Sequence, residues 1–145
     1  INNFRIKKQV AYEIRKKIDK LATYKNYFRN VFNHGKKIHS IIKKLKNNDK
    51  IIYGLGASTK GNVLLQNSKI DGNLLSGIFD VNKEKFNKFT PHSKIRILDE
   101  RKLKKTKVDF ILLLIWHFKG YVINKIKKYN KNIKIIIPFP KIKII

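Results

Sequence analysis

The stretch from Lys50 to Leu65 constrains this chain most, because it reads as a strand, a glycine turn and the start of a helix. Ile51, Ile52 and Tyr53 form a short β-prone apolar run of the kind a buried parallel strand needs. Gly54, Gly56 and Gly61 place three of the seven glycines within eight residues. Glycine accepts positive φ and lets a backbone approach a ligand closely. Ser58 and Thr59 are good N-cap residues for a helix through Val63, Leu64 and Leu65. A helix N-terminus with free N–H groups suits a phosphate, and Lys60 adds a cation there.

Known glycine loops fit this stretch only in part. The dinucleotide fingerprint G-x-G-x-x-G has Thr59 at its third glycine position, and the next glycine is Gly61. The Walker A pattern fails, since Asn62 and Val63 follow Gly61 where Lys and Ser or Thr belong. An S-adenosylmethionine loop commonly has an acid two residues before its first glycine, and that position is Ile52. A tight β–α turn that binds nothing is the plain structural alternative.

At 145 residues, with 42% hydrophobic and 11% aromatic content, the chain suits one folded domain with a real core. It contains no Met and starts at Ile1, which suggests a piece of a longer product or a trimmed one. The absence of Cys excludes disulfides and thiolate zinc sites within the chain and fits a cytoplasmic protein. No N-terminal segment resembles a signal peptide. The longest apolar run, Phe110 to Trp116, is too short to span a bilayer.

The formal charge of +26 would ordinarily point to nucleic acid. Thirty of the 35 basic residues are Lys, however, and five are Arg. Lys, Ile and Asn share A/T-rich codons, so genome composition accounts for the excess. Specific base readers favour Arg forks. We therefore expect weak, salt-sensitive attraction to polyanions, no specific nucleic acid and no membrane partner.

Residues 1–49 read as helical. Val10, Ile14, Ile18 and Leu21 form one apolar stripe, which Tyr24, Phe28, Val31 and Phe32 continue. Ile38, Ile41, Ile42 and Leu45 form the next, and Asn33-His34-Gly35 is the expected weak point between them. Packing on a sheet or a neighbouring domain is favoured over a basic amphipathic helix on a membrane. Residues 50–145 then alternate. A helix is expected from Thr59 to about Asn67, a strand from Leu74 to Phe79 and a short strand at Ile95–Leu98. Asp99 caps a brief helix through Leu103. The clearest strand is Val108–Ile115, buried on both faces. A helix from about Lys119 to Tyr129, a strand at Ile133–Ile137 and an edge strand at Ile142–Ile145 complete the chain.

This alternation predicts an α/β fold: a Rossmann-like, mostly parallel sheet with helices on both faces, preceded by an N-terminal helical segment. Ligands of such sheets sit beyond the carboxyl ends of the strands. The Gly54–Gly61 turn, Asp80 and Trp116-His117 all fall at that edge. Asp80 follows the second strand, 24 residues after Gly56. It suits either a ribose hydroxyl or a local turn at Val81-Asn82. Trp116 suits stacking on a base or sugar, or core packing. His117 suits a substrate hydrogen bond or a structural role. Catalytic signals are sparse. No two of His34, His39, His92 and His117 have metal-ligand spacing on a helix, and there is no G-x-S-x-G elbow.

Several segments together resemble one family. The run Gly56-Ala57-Ser58-Thr59-Lys60-Gly61-Asn62-Val63-Leu64-Leu65 resembles the G-A-x-x-K-G-N-x-L-L signature of the C-terminal domain of sugar C-methyltransferases. Leu21-x-x-Tyr24-x-x-x-Phe28-x-x-Val31 resembles that family's helical lead-in. Asp80-x-Asn82 resembles its D-x-N, Phe89-Thr90-Pro91 its Y-T-P, Trp116-x-Phe118 its W-N-F, and Pro138-Phe139-Pro140 its closing P-x-P. The chain departs from the pattern at His92–Ile97, where the family has G-T-H-I-P-I, and at His117, where it has Asn.

The resemblance implies a substrate-binding role. The family enzymes methylate a carbon of a deoxysugar carried on a nucleoside diphosphate. Complete members carry a zinc-binding region and an S-adenosylmethionine domain upstream, and the catalytic segment lies there. This chain then binds neither cofactor and has no catalytic residue of its own. It presents the sugar nucleotide to the upstream methyl-donor domain. Gly54, Gly56, Ala57, Ser58, Thr59, Lys60, Gly61 and Asn62 would hold the diphosphate. Asp80, Asn82, Trp116 and His117 would supply further substrate contacts. The alternative reading is a stand-alone dinucleotide-binding module of the NAD type, or an oxidoreductase fragment.

Overall fold

The computed structural model describes residues 3–145. They group into a unit ending at His34 and a second unit, Gly35–Ile145. In the first unit, helix α1 covers Asn3–Arg15 and ends in a turn that holds Lys17 at φ 53°. Helix α2 then runs unbroken from Leu21 to Asn47. No residue of α1 is buried, and Val10, Ile14, Ile18, Leu21, Tyr24, Phe28 and Phe32 are all exposed.

The weak point expected at Asn33-His34-Gly35 does not break α2; the chain breaks earlier, at 16–20. Gly35 is buried, and a Cβ built on it would lie 2.6 Å from Asn67 Nδ2 and 2.9 Å from the Asn67 carbonyl oxygen. The glycine therefore serves a close approach to the third helix. That packing outweighs its intrinsic helix cost of about 1 kcal/mol. No helix among the described residues is long and apolar enough to cross a membrane.

The second unit is an α/β sheet. Its strands are β1 (Ile52–Leu55), β2 (Ile78–Asp80), β3 (Ile97–Asp99), β4 (Phe110–Leu113), β5 (Lys134–Ile137) and β6 (Lys143–Ile144). They lie in the order β3-β2-β1-β4-β5-β6. The first five are parallel, and β6 closes the edge antiparallel to β5. Parallel neighbours need crossover connections, which the alternating sequence supplies. Helix α3 (Thr59–Asn67) links β1 to β2, and helix α4 (Lys119–Tyr129) links β4 to β5. A short 3-10 helix, Glu100–Lys105, links β3 to β4, and its N-cap Asp99 accepts the Arg101 N–H. Between β2 and β3, Thr90 is buried and its Oγ1 accepts the Ile95 N–H at 2.9 Å, which holds that irregular loop.

Period-two alternation divides the core between the two sheet faces. Ile52, Ile78, Leu112 and Ile136 pack with Ile38 and Ile42 of α2 and with Leu64 and Leu65 of α3. Leu55, Phe79, Ile111, Leu113 and Ile135 pack on the other face with Leu103 and with Val122 and Ile126 of α4. Strand β4 is buried along its whole length, as a central strand must be. The observed strands are shorter than the apolar runs that announce them. Leu74 and Leu75 stay out of β2 because both their N–H groups donate to the Asp71 carbonyl in a helical turn.

Candidate functional site

The strand order reverses between β1 and β4, so the crevice beyond their carboxyl ends is the topological switch point. The turn after β1 fills one side of it. Gly56 sits at φ +87°, a conformation that favours glycine. A Cβ at that position would lie 2.5 Å from Ile115 Cγ2. The Gly56 N–H donates to the Phe79 carbonyl of β2 at 2.8 Å, and its own carbonyl accepts the Ser58 N–H at 2.8 Å. The chain is thereby turned upward and fed into α3.

Ser58 is the N-cap. Its Oγ accepts the Gly61 N–H at 3.0 Å and donates to the Leu114 carbonyl at 3.3 Å. The Asn62 N–H donates to the Ser58 carbonyl at 2.9 Å. The two other N–H groups of the first turn, those of Thr59 and Lys60, have no hydrogen bond among the described residues. Both residues are exposed, and the positive end of the helix dipole lies there. Gly61 has a different task. A Cβ on it would lie 2.8 Å from Leu114 Cβ, so it lets α3 pack tightly over the end of β4. The third glycine of the dinucleotide fingerprint does the same, two positions earlier.

Asp80 works inside the protein. It is 7% exposed; Oδ2 accepts the Ala57 N–H at 2.7 Å and Oδ1 accepts the Asn82 N–H at 2.8 Å. Lys85 joins them: its Nζ donates to the Ala57 carbonyl at 2.9 Å and lies 3.6 Å from Asp80 Oδ2. The carboxylate thus ties the glycine turn to the end of β2. Of the two roles open from sequence, the local turn at Val81-Asn82 is the one with visible hydrogen bonds. Asn82 is exposed, and its Oδ1 accepts the Glu84 N–H at 3.0 Å.

The segment after β4 forms the other wall. Trp116 is half-buried and packs against both core clusters, with Phe139 4.8 Å from it ring to ring. The His117 ring lies 4.9 Å from the Trp116 ring and is exposed. Lys60 reaches across, with Nζ 3.4 Å from His117 Nε2. The structure therefore brings the turn of Gly56, Ala57, Ser58, Thr59 and Lys60 together with Trp116 and His117 beyond the carboxyl ends of β1 and β4. Gly54 and Gly61 are buried packing positions, Asn62 is half-buried in the first turn of α3, and Asn82 lies outward of Asp80.

Two contributors escaped the sequence reading. Lys85 is one lysine among 30, with no spacing to mark it. Leu114 lies in an apolar run whose register against Gly54 and Gly61 appears only in three dimensions. The crevice presents backbone N–H groups, an ammonium and an imidazole, which is chemistry for holding an anion. No three His, Asp or Glu side chains come together as metal ligands among the described residues.

A family model described as the C-methyltransferase C-terminal domain matches residues 2–140. The match spans both helical segments, the glycine turn and all of the sheet except β6. No curated protein matches the chain.

Proposed function

Because this chain belongs to the C-methyltransferase C-terminal domain family, we propose that it holds a nucleoside-diphosphate deoxysugar for methylation by an upstream methyl-donor domain. The observation that carries this reading is the pair of unoccupied N–H groups at Thr59 and Lys60, beside the Lys60 ammonium, at the switch point of the sheet. A diphosphate carries the charge and acceptor oxygens that such a turn binds. Ser58, Gly56 and Asp80 act on the ligand indirectly, by fixing the turn. Trp116 and His117 supply further substrate contacts on this reading. S-adenosylmethionine and zinc belong, on this reading, to upstream parts of a cytoplasmic enzyme. Ile52 stands where a methyl-donor loop commonly has an acid.

The strand order also favours a second reading, an NAD-type module, since dinucleotides bind at this switch point. Against it, both Asp80 oxygens already accept backbone N–H groups, where such a site needs its acid turned to the ribose. Calorimetric titration near physiological salt with dTDP, NAD, S-adenosylmethionine and a random oligonucleotide separates the readings. We expect dTDP to bind best and Lys60→Ala to weaken it by about tenfold, the scale of one charge-assisted hydrogen bond. Binding of NAD with no binding of dTDP would overturn the proposal.

A further inference from the structure

We infer that a hollow on the α4 side of the sheet, apart from the switch point, is a binding site for a planar ring that carries a phosphate monoester. The hollow owes its existence to the crossover between β3 and β4. Such crossovers are usually full α-helices. Here the 3-10 helix Glu100–Lys105 takes that place, on the face that α4 also covers, and of its residues only Leu103 is buried. The space left between it, α4 and the segment after β2 is about 470 Å³. That lies within the range of small-molecule sites, about 300–1,000 Å³. No residue of the glycine turn lines it, and neither does Trp116 or His117.

Its walls divide into an apolar and a cationic part. Val81 and Phe86 after β2 and Tyr129 of α4 supply apolar surface, and both rings are half-buried. Lys83, Arg101, Lys104 and Lys125 supply four cations, against the carboxylates of Asp99 and Glu100. Each carboxylate is already taken, Asp99 by Arg101 and Glu100 by Lys125. Lys83 and Lys104 form no ion pair among the described residues. The Lys104 ammonium is nevertheless kept at the wall, 4.8 Å from the centre of the Tyr129 ring.

The lining thus carries a surplus of two positive charges beside aromatic surface. A phosphate monoester brings about −1.5 to −2 at neutral pH and three acceptor oxygens, which answers two uncommitted ammoniums. A carboxylate leaves one of the two charges unanswered. An aromatic ring or a nucleobase gains contact with Phe86 and Tyr129. The diffuse charge of the chain attracts any anion, but it supplies no preference for a ring.

The test is an amide NMR titration of the isotope-labelled 145-residue chain, at neutral pH and physiological salt. Phenyl phosphate and AMP are the probes, and inorganic phosphate and phenol are the separate halves of the first. We expect both ring phosphates to shift the amides of Lys83, Phe86, Arg101, Lys104 and Tyr129. They should bind about fivefold tighter than inorganic phosphate, the scale of an aromatic contact, and phenol should bind more weakly than either. Lys83→Ala and Lys104→Ala should each weaken phenyl phosphate by about threefold, the scale of an exposed charge contact. Lys43→Ala removes the same charge from an exposed position on α2 and should leave the affinity unchanged. All three lysines are exposed, so the variants keep the core, and their spectra show whether they are folded. AMP binding tighter than phenyl phosphate marks a nucleotide as the natural occupant, and the reverse order marks a simpler aryl phosphate; both support the site. The inference is overturned if inorganic phosphate binds as tightly as phenyl phosphate, or if the shifts centre on Gly56–Gly61. It is equally overturned if Lys43→Ala weakens binding as much as Lys104→Ala does, or if neither ring phosphate binds. None of these results bears on the diphosphate reading of the glycine turn, which the dTDP titration tests separately.

Discussion

Each residue of the glycine turn has a separable physical task. Gly56 combines φ +87° with a wall formed by Ile115, so an alanine there meets both backbone strain and a clash. Gly56→Ala should destabilise the fold by about 2 kcal/mol or more, read as a lower urea midpoint. Asp80 is a different case, because its charge holds two backbone N–H groups and sits 3.6 Å from Lys85 Nζ. Asp80→Asn keeps the shape but turns an amide N–H toward one of those donors. The expected loss is about 2 kcal/mol, and dTDP binding should weaken through the misplaced turn even at temperatures where the variant stays folded. His92 poses the opposite situation. It occupies φ +61° where the family pattern has a glycine, so a side chain bears a left-handed backbone there. His92→Gly should leave stability unchanged or raise it by up to about 1 kcal/mol in thermal melts, the relief of left-handed strain being partly or fully offset by greater freedom in the unfolded chain.

Among the elements, the helices were the most legible from sequence, because their signals are local. Ser58 as cap and the Leu64–Leu65 face place α3 at Thr59–Asn67, and Val122 with Ile126 place α4 at Lys119–Tyr129. Strand ends were less legible, since an apolar run does not say where its backbone leaves the ladder; Leu74 and Leu75 show this at β2. Gly35 misled for a related reason: its partner, Asn67, lies 32 residues away. In the site, the turn could be read from its glycines, whereas the tie from Ala57 to Asp80 and Lys85 could not, since it depends on β1 and β2 being neighbours. The 3-10 helix after β3 makes an electrostatic prediction. The Arg101 side-chain hydrogen bond to Asp99, with the Arg101 backbone N–H added, holds that carboxyl below its usual 3.8. A lowered folded-state value means the stabilisation is present above pH 3.8 and lost as pH falls through the lower one. Asp99→Asn retains a capping oxygen but not the charge. The stability gap between parent and variant should therefore stay constant from about pH 5 to 7 and close on further acidification, in urea titrations at each pH. On the other side of the same helix, the Glu100 hydrogen bond raises the Lys125 ammonium above 10.5. That contribution is lost as pH rises past its raised value, and because parent and variant share the ion pair it cancels from the gap between them.

For the whole molecule, the charge of +26 acts at two ranges that salt can separate. The long-range part is self-repulsion among lysines spread along the chain, which opposes the folded state and attracts any polyanion. Its reach is the Debye length, about 10 Å at 0.1 M salt and shorter above that. The short-range part is the contact of one turn, with its two N–H groups and Lys60, on one diphosphate. Raising NaCl from 0.05 to 0.5 M should therefore raise the melting temperature, by about 3 °C for each 1 kcal/mol of repulsion screened. Over the same range a random single-stranded oligonucleotide should lose affinity steeply, because each neutralised phosphate contributes about −0.7 to the log–log slope. A nucleoside-diphosphate sugar brings only two charges, and helix N–H groups bind its oxygens at contact distance, so its slope should stay between about −1 and −2. Equal slopes for the two ligands would mean that diffuse lysine charge does the binding and that the turn at Gly56–Gly61 is only a turn. A shallow slope for the sugar nucleotide that Lys60→Ala flattens further would place the recognition at the helix terminus.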